Sequence, residues 1–301
     1  MNRLQREQPP VLPVEPKTIS EPDIYFLRNN IPVYLIEAGT EEILRIEFIF
    51  RAGQIKEHLP LLSSSTNMML TEGSGNYTSE ELNRKLDYYG AFLNLTAEKD
   101  CSGLVIYFLN KHTNKILELC REILFNPVFP ENELSILLKK RIQWYKIRKE
   151  RVQNLAMDRF FETLFGKHHP YGRQVYENDF ERITPGLLMD FHSKYYTPEN
   201  MAVIVSGKIN EKTTGLIDLY LGGINPKEIN IEETKNNLVG EKDKKVTIEK
   251  PGAIQSAIRI GSPTINKRHP DYPGVKILNT IIGGYFGSRL MKNIREEKGY
   301  T

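Results

Sequence analysis

One order of elements occurs twice in this chain, and it limits the folds open to it. At 43–50, "ILRIEFIF" alternates apolar and polar residues as a half-buried strand does, and it stops at Gly53. An apolar helix over 61–70 follows and ends at Gly73, and a polar helix then ends at Gly90. Far downstream, "AIQSAIRIGS" reads as a strand, "YPGVKILNTIIGG" as an apolar helix and "SRLMKNIREEKG" as a polar helix. Gly53 to Gly73 is 20 residues and Gly261 to Gly283 is 22; Gly73 to Gly90 is 17 and Gly283 to Gly299 is 16. Recurrence at matched spacing is the mark of a duplicated unit. The second copy stops at Thr301 after its two helices, so the expectation is an incomplete second copy and a chain that is a fragment of a longer protein.

Between the copies, "PKEINIEETKNNLVGEKDKK" is charged and low in large apolar residues, as linkers are. The expected organisation is therefore a module over 1–225, a linker over 226–245 and the start of a second module over 246–301. Residues 1–23 read as an extended arm, because Pro9, Pro10, Pro13 and Pro16 disfavour a helix. Strands are expected at 24–27 and 33–37, joined by a turn at Asn29-Asn30. Thr78 with Glu81 three residues on is a capping box opening the helix that carries Leu82, Leu86 and Tyr89. "AFLNLTAEKDCSGLVIYFL" gives two strands, and "NKILELCREILF" a helix closed by Asn126-Pro127. Pro130 opens one long helix over 131–165 ending at Gly166, and "MAVIVSG" at 201–207 is a short buried strand.

Composition removes several function classes. A net charge of +3 is too small to imply nucleic acid or a membrane surface as partner. Two cysteines argue against a disulfide scaffold and against a cysteine zinc cage. With no apolar signal segment or membrane-length run, a cytoplasmic location is expected.

The polar centre of "LLSSSTNMMLTEGS" at 61–74 invites a catalytic reading. As a serine nucleophile it lacks the Gly-x-Ser-x-Gly elbow, and small polar residues on a half-buried helix mostly pack. No pair among the six histidines has the spacing of a helical metal site, and His168-His169 before Pro170 read as a structural corner. "KKRIQWYKIRKER" at 139–151 holds seven bases and one acid. It is a solvated helix face, or a basic wall that selects acidic peptides; nothing supports the third choice, nucleic-acid contact. "IIGGYFGS" at 281–288 lacks Gly-Lys-Ser/Thr and is no phosphate loop.

Several segments in order, "FRAGQIKE", "LTEGS", "ELNRKLDYYGAFLNLTAEKD", "ILFNPVFPENEL", "LFGKHHPYG", "FHSKYYTPENMAVIVSG" and "IIGGYFGSRLMKNIREEKGYT", resemble the insulinase/pitrilysin-type zinc peptidases and their processing-peptidase relatives. The resemblance implies an α+β fold of duplicated two-layer α/β sandwich modules, each an antiparallel-rich sheet packed by helices. Active members carry His-x-x-Glu-His on the helix before the glycine turn: two zinc ligands and a general base. Counted back from Gly73, those positions fall on Ser64, Asn67 and Met68. The family's third ligand would fall near 143–145, "QWY", and no Asp or Glu occurs between Glu133 and Glu150.

The expectation is a chain with no zinc of its own. In the two-subunit branch of the family, the metal-free partner supplies an Arg and a Tyr that hold the substrate carbonyl and the developing oxyanion. Ser288, Arg289, Leu290, Arg295 and Gly299 match that pattern, which assigns Arg295 the carbonyl contact; the tyrosine would fall at position 302. Otherwise Arg295 pairs with acids along a helix surface. Three functions follow: a non-catalytic subunit that pairs with a zinc-bearing paralogue and holds peptide, a structural or assembly protein on the same fold, and an autonomous zinc protease. The first has zinc in the partner, a peptide substrate, and neither nucleic acid nor membrane.

Overall fold

The structure, a computed structural model, describes residues 10, 12–13, 21–225 and 245–300. Most of the expected arm over 1–23, and all of the linker over 226–245 but Lys245, lie outside those residues.

A six-stranded sheet organises the larger part. Its strands are β1 (Asp23–Phe26), β2 (Pro32–Glu37), β3 (Ile43–Phe50), β4 (Phe92–Ala97), β5 (Ser102–Leu109) and β6 (Met201–Gly207). They lie in the order β1-β2-β6-β3-β5-β4. Only β2 and β6 run parallel; every other neighbouring pair is antiparallel. The alternation in β3 decides which way it faces. Leu44, Ile46, Phe48 and Phe50 are buried, and Arg45, Glu47 and Ile49 lie on the other, half-exposed face. On that face Arg45 pairs with Glu47 at 2.6 Å and donates to the Tyr107 hydroxyl at 3.0 Å.

Helices cover the apolar face, giving two layers around one core. They are α1 (Leu62–Met68), α2 (Ser79–Tyr88), α3 (Thr113–Phe125), α4 (Glu131–Glu150), α5 (Val152–Phe165), α6 (Glu177–Glu181), α7 (Pro185–Tyr195) and α8 (Glu211–Leu221). The turn at Asn29-Asn30 forms as expected, with Asn30 at φ 64°, a left-handed conformation asparagine tolerates. Asn29 Nδ2 ties that turn to the end of α8 through the Leu221 and Ile224 carbonyls, at 2.8 and 3.0 Å. The Thr78–Glu81 capping box forms, and α2 buries Leu82 and Leu86. Gly90, at φ 61°, closes that helix, and Ala91 N–H donates back to the Leu86 carbonyl at 2.9 Å.

Four expectations are corrected. First, the helix over 131–165 is two helices. Arg151 takes extended backbone (ψ 120°) between α4 and α5, and Asn154 Nδ2 caps the Arg148 carbonyl at 3.0 Å. Arg148 and Asp158, bonded at 2.5 and 2.8 Å, hold the corner. Second, the apolar helix before Gly73 begins at Leu62 rather than at Leu61, because Leu61 is left-handed at φ 73°. Third, 253–262 is not a strand. A strand needs a partner edge, and this segment runs beside the α4–α5 corner: Lys250 reaches the Lys149 carbonyl at 3.3 Å, and Gly261 lies against the Phe160 ring. Fourth, the last helices are short. α9 (Tyr272–Asn279) passes into π-helical turns at Thr280–Gly284, and α10 (Arg289–Met291) into Lys292–Glu297.

Candidate functional site

The polar centre of α1 lies between the sheet and α4, and each of its side chains has a definite task. Ser63 donates its hydroxyl to the Ala52 carbonyl at 2.6 Å and lies 3.1 Å from the Ser102 hydroxyl. Thr66 and Ser64 hydroxyls donate back to the carbonyls of Leu62 and Leu61, at 2.9 and 3.2 Å. Asn67 is buried and turned into the core, where its amide donates to the Gly103 carbonyl at 3.0 Å and the Tyr196 hydroxyl at 3.1 Å. Burial raises the Tyr196 phenol well above its ordinary range. Met68 points the other way and is 42% exposed.

Arg141 on α4 closes the site. Its guanidinium donates to the Ser65 hydroxyl at 2.6 Å and to the Ser64 hydroxyl at 2.8 Å. Burial pushes its pKa down to about 10, and the nearby Glu57 charge opposes that shift, so it stays a cation at neutral pH. Tyr145, one turn further on the same face, donates to the Val175 carbonyl at 3.2 Å. Beneath them lies Glu57, buried, accepting from Ser63 N–H at 3.0 Å and pairing with Arg173 at 3.2 Å. Burial raises its carboxyl to about 7, against the pull of that N–H and of Arg173.

These residues do not fit a zinc ion. The first ligand position is a hydroxyl already held by a cation, the base position is an amide facing the core, and the second ligand position is a thioether. The third, near 143–145, offers a phenol bonded elsewhere. Among the described residues no serine hydroxyl of α1 bonds a histidine or carboxylate side chain, so a serine nucleophile has no base. His192 lies on the Leu124 carbonyl at 2.8 Å, and His169 accepts from Tyr171 N–H at 3.1 Å, the structural tasks expected of lone histidines.

A cavity of about 720 Å³ opens beside Arg141, between α4, α5 and the 171–175 segment. A smaller one of about 240 Å³ runs past Ser63 and Ser64 to Ala97–Lys99 at the end of β4. Arg295 lines neither; it is exposed, its guanidinium 5.3 Å from the Phe286 ring centre, and among the described residues it makes no ion pair. Sequence reasoning passed over Arg141 and Glu57. Glu57 stood inside the quoted "FRAGQIKE" with no role given. Arg141 stood in a basic run, yet its spacing of four from Tyr145 was a usable signal.

Comparison with known proteins gives this site a context. The family described as "Peptidase M16 inactive domain" matches residues 182–301. The chain is thus similar to M16 peptidases, with the family match confined to residues 182–301. An uncharacterized zinc protease of Bacillus subtilis is 22% identical over 278 residues, which cover 91% of this chain and 67% of the relative. Mitochondrial core protein I of the ubiquinol-cytochrome-c reductase complex of Euglena gracilis is 22% identical, over 71% of this chain and 43% of its own length. Among solved structures, an M16 inactive domain from Pseudomonas fluorescens superposes with a TM-score of 0.76 at 21% identity, covering 93% of this chain and 69% of that one. A protease from Helicobacter pylori gives 0.79 at 18%, covering 93% and 70%. The chain spans 67% and 54% of the first two curated relatives' lengths. Among its described residues no helix is long and apolar enough to cross a membrane.

Proposed function

We propose that this chain is a non-catalytic, cytoplasmic subunit of an M16-type peptidase that pairs with a zinc-bearing paralogue, and that together they enclose and position a peptide. One observation carries the reading: a hydroxyl, an amide and a thioether stand at the places of metal ligands and base, and a guanidinium donates to the first of them. The geometry also favours a peptide. Among the described residues β4 pairs only with β5, so its other edge offers backbone N–H and C=O groups to an extended chain. The end of that strand runs into the cleft beside Ser64. On this reading Arg295 meets the substrate carbonyl in the partner's site, where zinc supplies the activated water.

The test is hydrolysis of unfolded peptides by the paralogue, alone and co-expressed with this chain. Activity is expected to rise on pairing. Arg295→Ala in the complex should lower kcat by roughly 100-fold with little change in KM, as loss of one oxyanion donor does. Unchanged activity with and without the chain rules the reading out. The likeness to the Euglena core protein favours a second reading, an assembly protein with no role in proteolysis. In that case the complex forms, and Arg295→Ala leaves hydrolysis untouched.

A further inference from the structure

The larger cavity has a charge imbalance that the non-catalytic reading does not require. Six cations line it, Lys99, Arg141, Arg148, Lys149, Arg151 and Arg173, against a single carboxylate, Asp158. That carboxylate is already taken, by Arg148 at 2.5 Å and Lys149 at 3.4 Å, and Arg173 is answered by Glu57. Arg141, Arg151 and Lys99 make no ion pair among the described residues. Of the five N–H groups on the Arg141 guanidinium, two donate to the neutral Ser64 and Ser65 hydroxyls, and the others have no acceptor among those residues. A cation withdrawn from water without a counter-charge is costly. The Lys99 ammonium stands 3.4 Å over the Phe161 ring, half-buried and likewise without a carboxylate in ion-pair range.

The two cavities share Gln54, Leu61, Lys99 and Val175, so the basic space is continuous with the cleft at the end of β4. A strand added to the β4 edge delivers its side chains to that mouth. Trp144, Tyr145 and Phe161 supply apolar wall for the stem of a long side chain. We propose that this cavity receives the carboxylate side chains of a bound peptide, with Arg141 as the fixed anion anchor, and that the chain thereby selects acidic peptides. The proposal rests on the peptide-holding reading above and narrows its substrate class.

Trp144 is the only tryptophan in the chain and lines the cavity, so its fluorescence reports occupancy. The full chain is titrated with an extended decapeptide rich in glutamate, and with its glutamine and lysine counterparts. The acidic peptide is expected to bind about tenfold or more tighter than the glutamine one, with an advantage that shrinks as salt rises. Arg141→Gln should remove that advantage. Because this substitution also cuts two bonds to α1, the exposed Arg151→Gln is measured beside it and should weaken the acidic peptide about threefold. Equal binding of all three peptides overturns the charge selection and leaves peptide holding intact. Binding of none overturns both. Saturable binding of inorganic phosphate without the acidic peptide replaces the carboxylate ligand and also overturns the proposal.

Discussion

Glu57 shows how one residue reports on the site. Its carboxyl titrates near 7 in the folded chain, against an ordinary value of 4.5, because burial outweighs the Arg173 pair. The folded state therefore holds this proton more tightly than the unfolded chain does. The stability it contributes is full below about pH 4.5 and is lost as pH rises towards 7. The loss is on the order of 3 kcal/mol if the whole shift is expressed. Urea unfolding at pH 4.5 and 7.5 should show that difference reduced in Glu57→Gln relative to the parent chain; an identical pH slope in both would remove Glu57 as its source. Arg141 was legible in sequence only as one base among seven. Its half-buried place over Ser64 and Ser65 corrects the solvated-face reading for this residue. The other members of the run behave more ordinarily, Lys146 pairing with Glu177 at 2.7 Å near the surface.

Elements show which rules are local. β3, the Thr78 capping box and the Asn29-Asn30 turn were all legible, because alternation, capping and turn chemistry act within a few residues. The break at Arg151 was not, because what holds it is an ion pair across the corner and a cap from the following helix. Gly103 on β5 is a similar case. A Cβ there would stand 1.9 Å from the Phe48 carbonyl oxygen, and its own carbonyl accepts from Asn67. Gly103→Ala should force β5 away from β3 and loosen α1, destabilising the chain by roughly 2–4 kcal/mol, read as a lowered urea midpoint. A midpoint within error of the parent would mean the strands part at little cost.

At the scale of the molecule the two parts are unequal. The sheet and its helices share one continuous core of fully buried residues such as Phe48, Leu62, Leu104 and Ile116. By contrast α9 buries none of its residues, and Ile277, Leu278, Ile281 and Phe286 are all exposed. Few buried apolar contacts mean local opening at low free energy. Hydrogen exchange over 272–300 should therefore run to completion well before that of β3 and β5, and protection equal to the sheet would contradict this. In a complex with the paralogue, slowed exchange over the same residues would mark them as covered.

The sequence by itself determined the six strands and the helices α1 to α3 in their order, since those rest on short-range pattern and spacing; α6, α7 and α8 were not read from it. It also determined that Ser64, Asn67 and Met68 cannot act as two zinc ligands and a base, since that follows from side-chain chemistry alone. The tertiary structure decided that a guanidinium 77 residues away in the chain covers Ser64, that Asn67 serves the core, and that 253–262 makes no strand. Those outcomes depend on which distant groups meet. Burial then sets what each meeting does: it holds the Arg141 guanidinium with no carboxylate in ion-pair range and raises the Glu57 carboxyl to a neutral-pH titration.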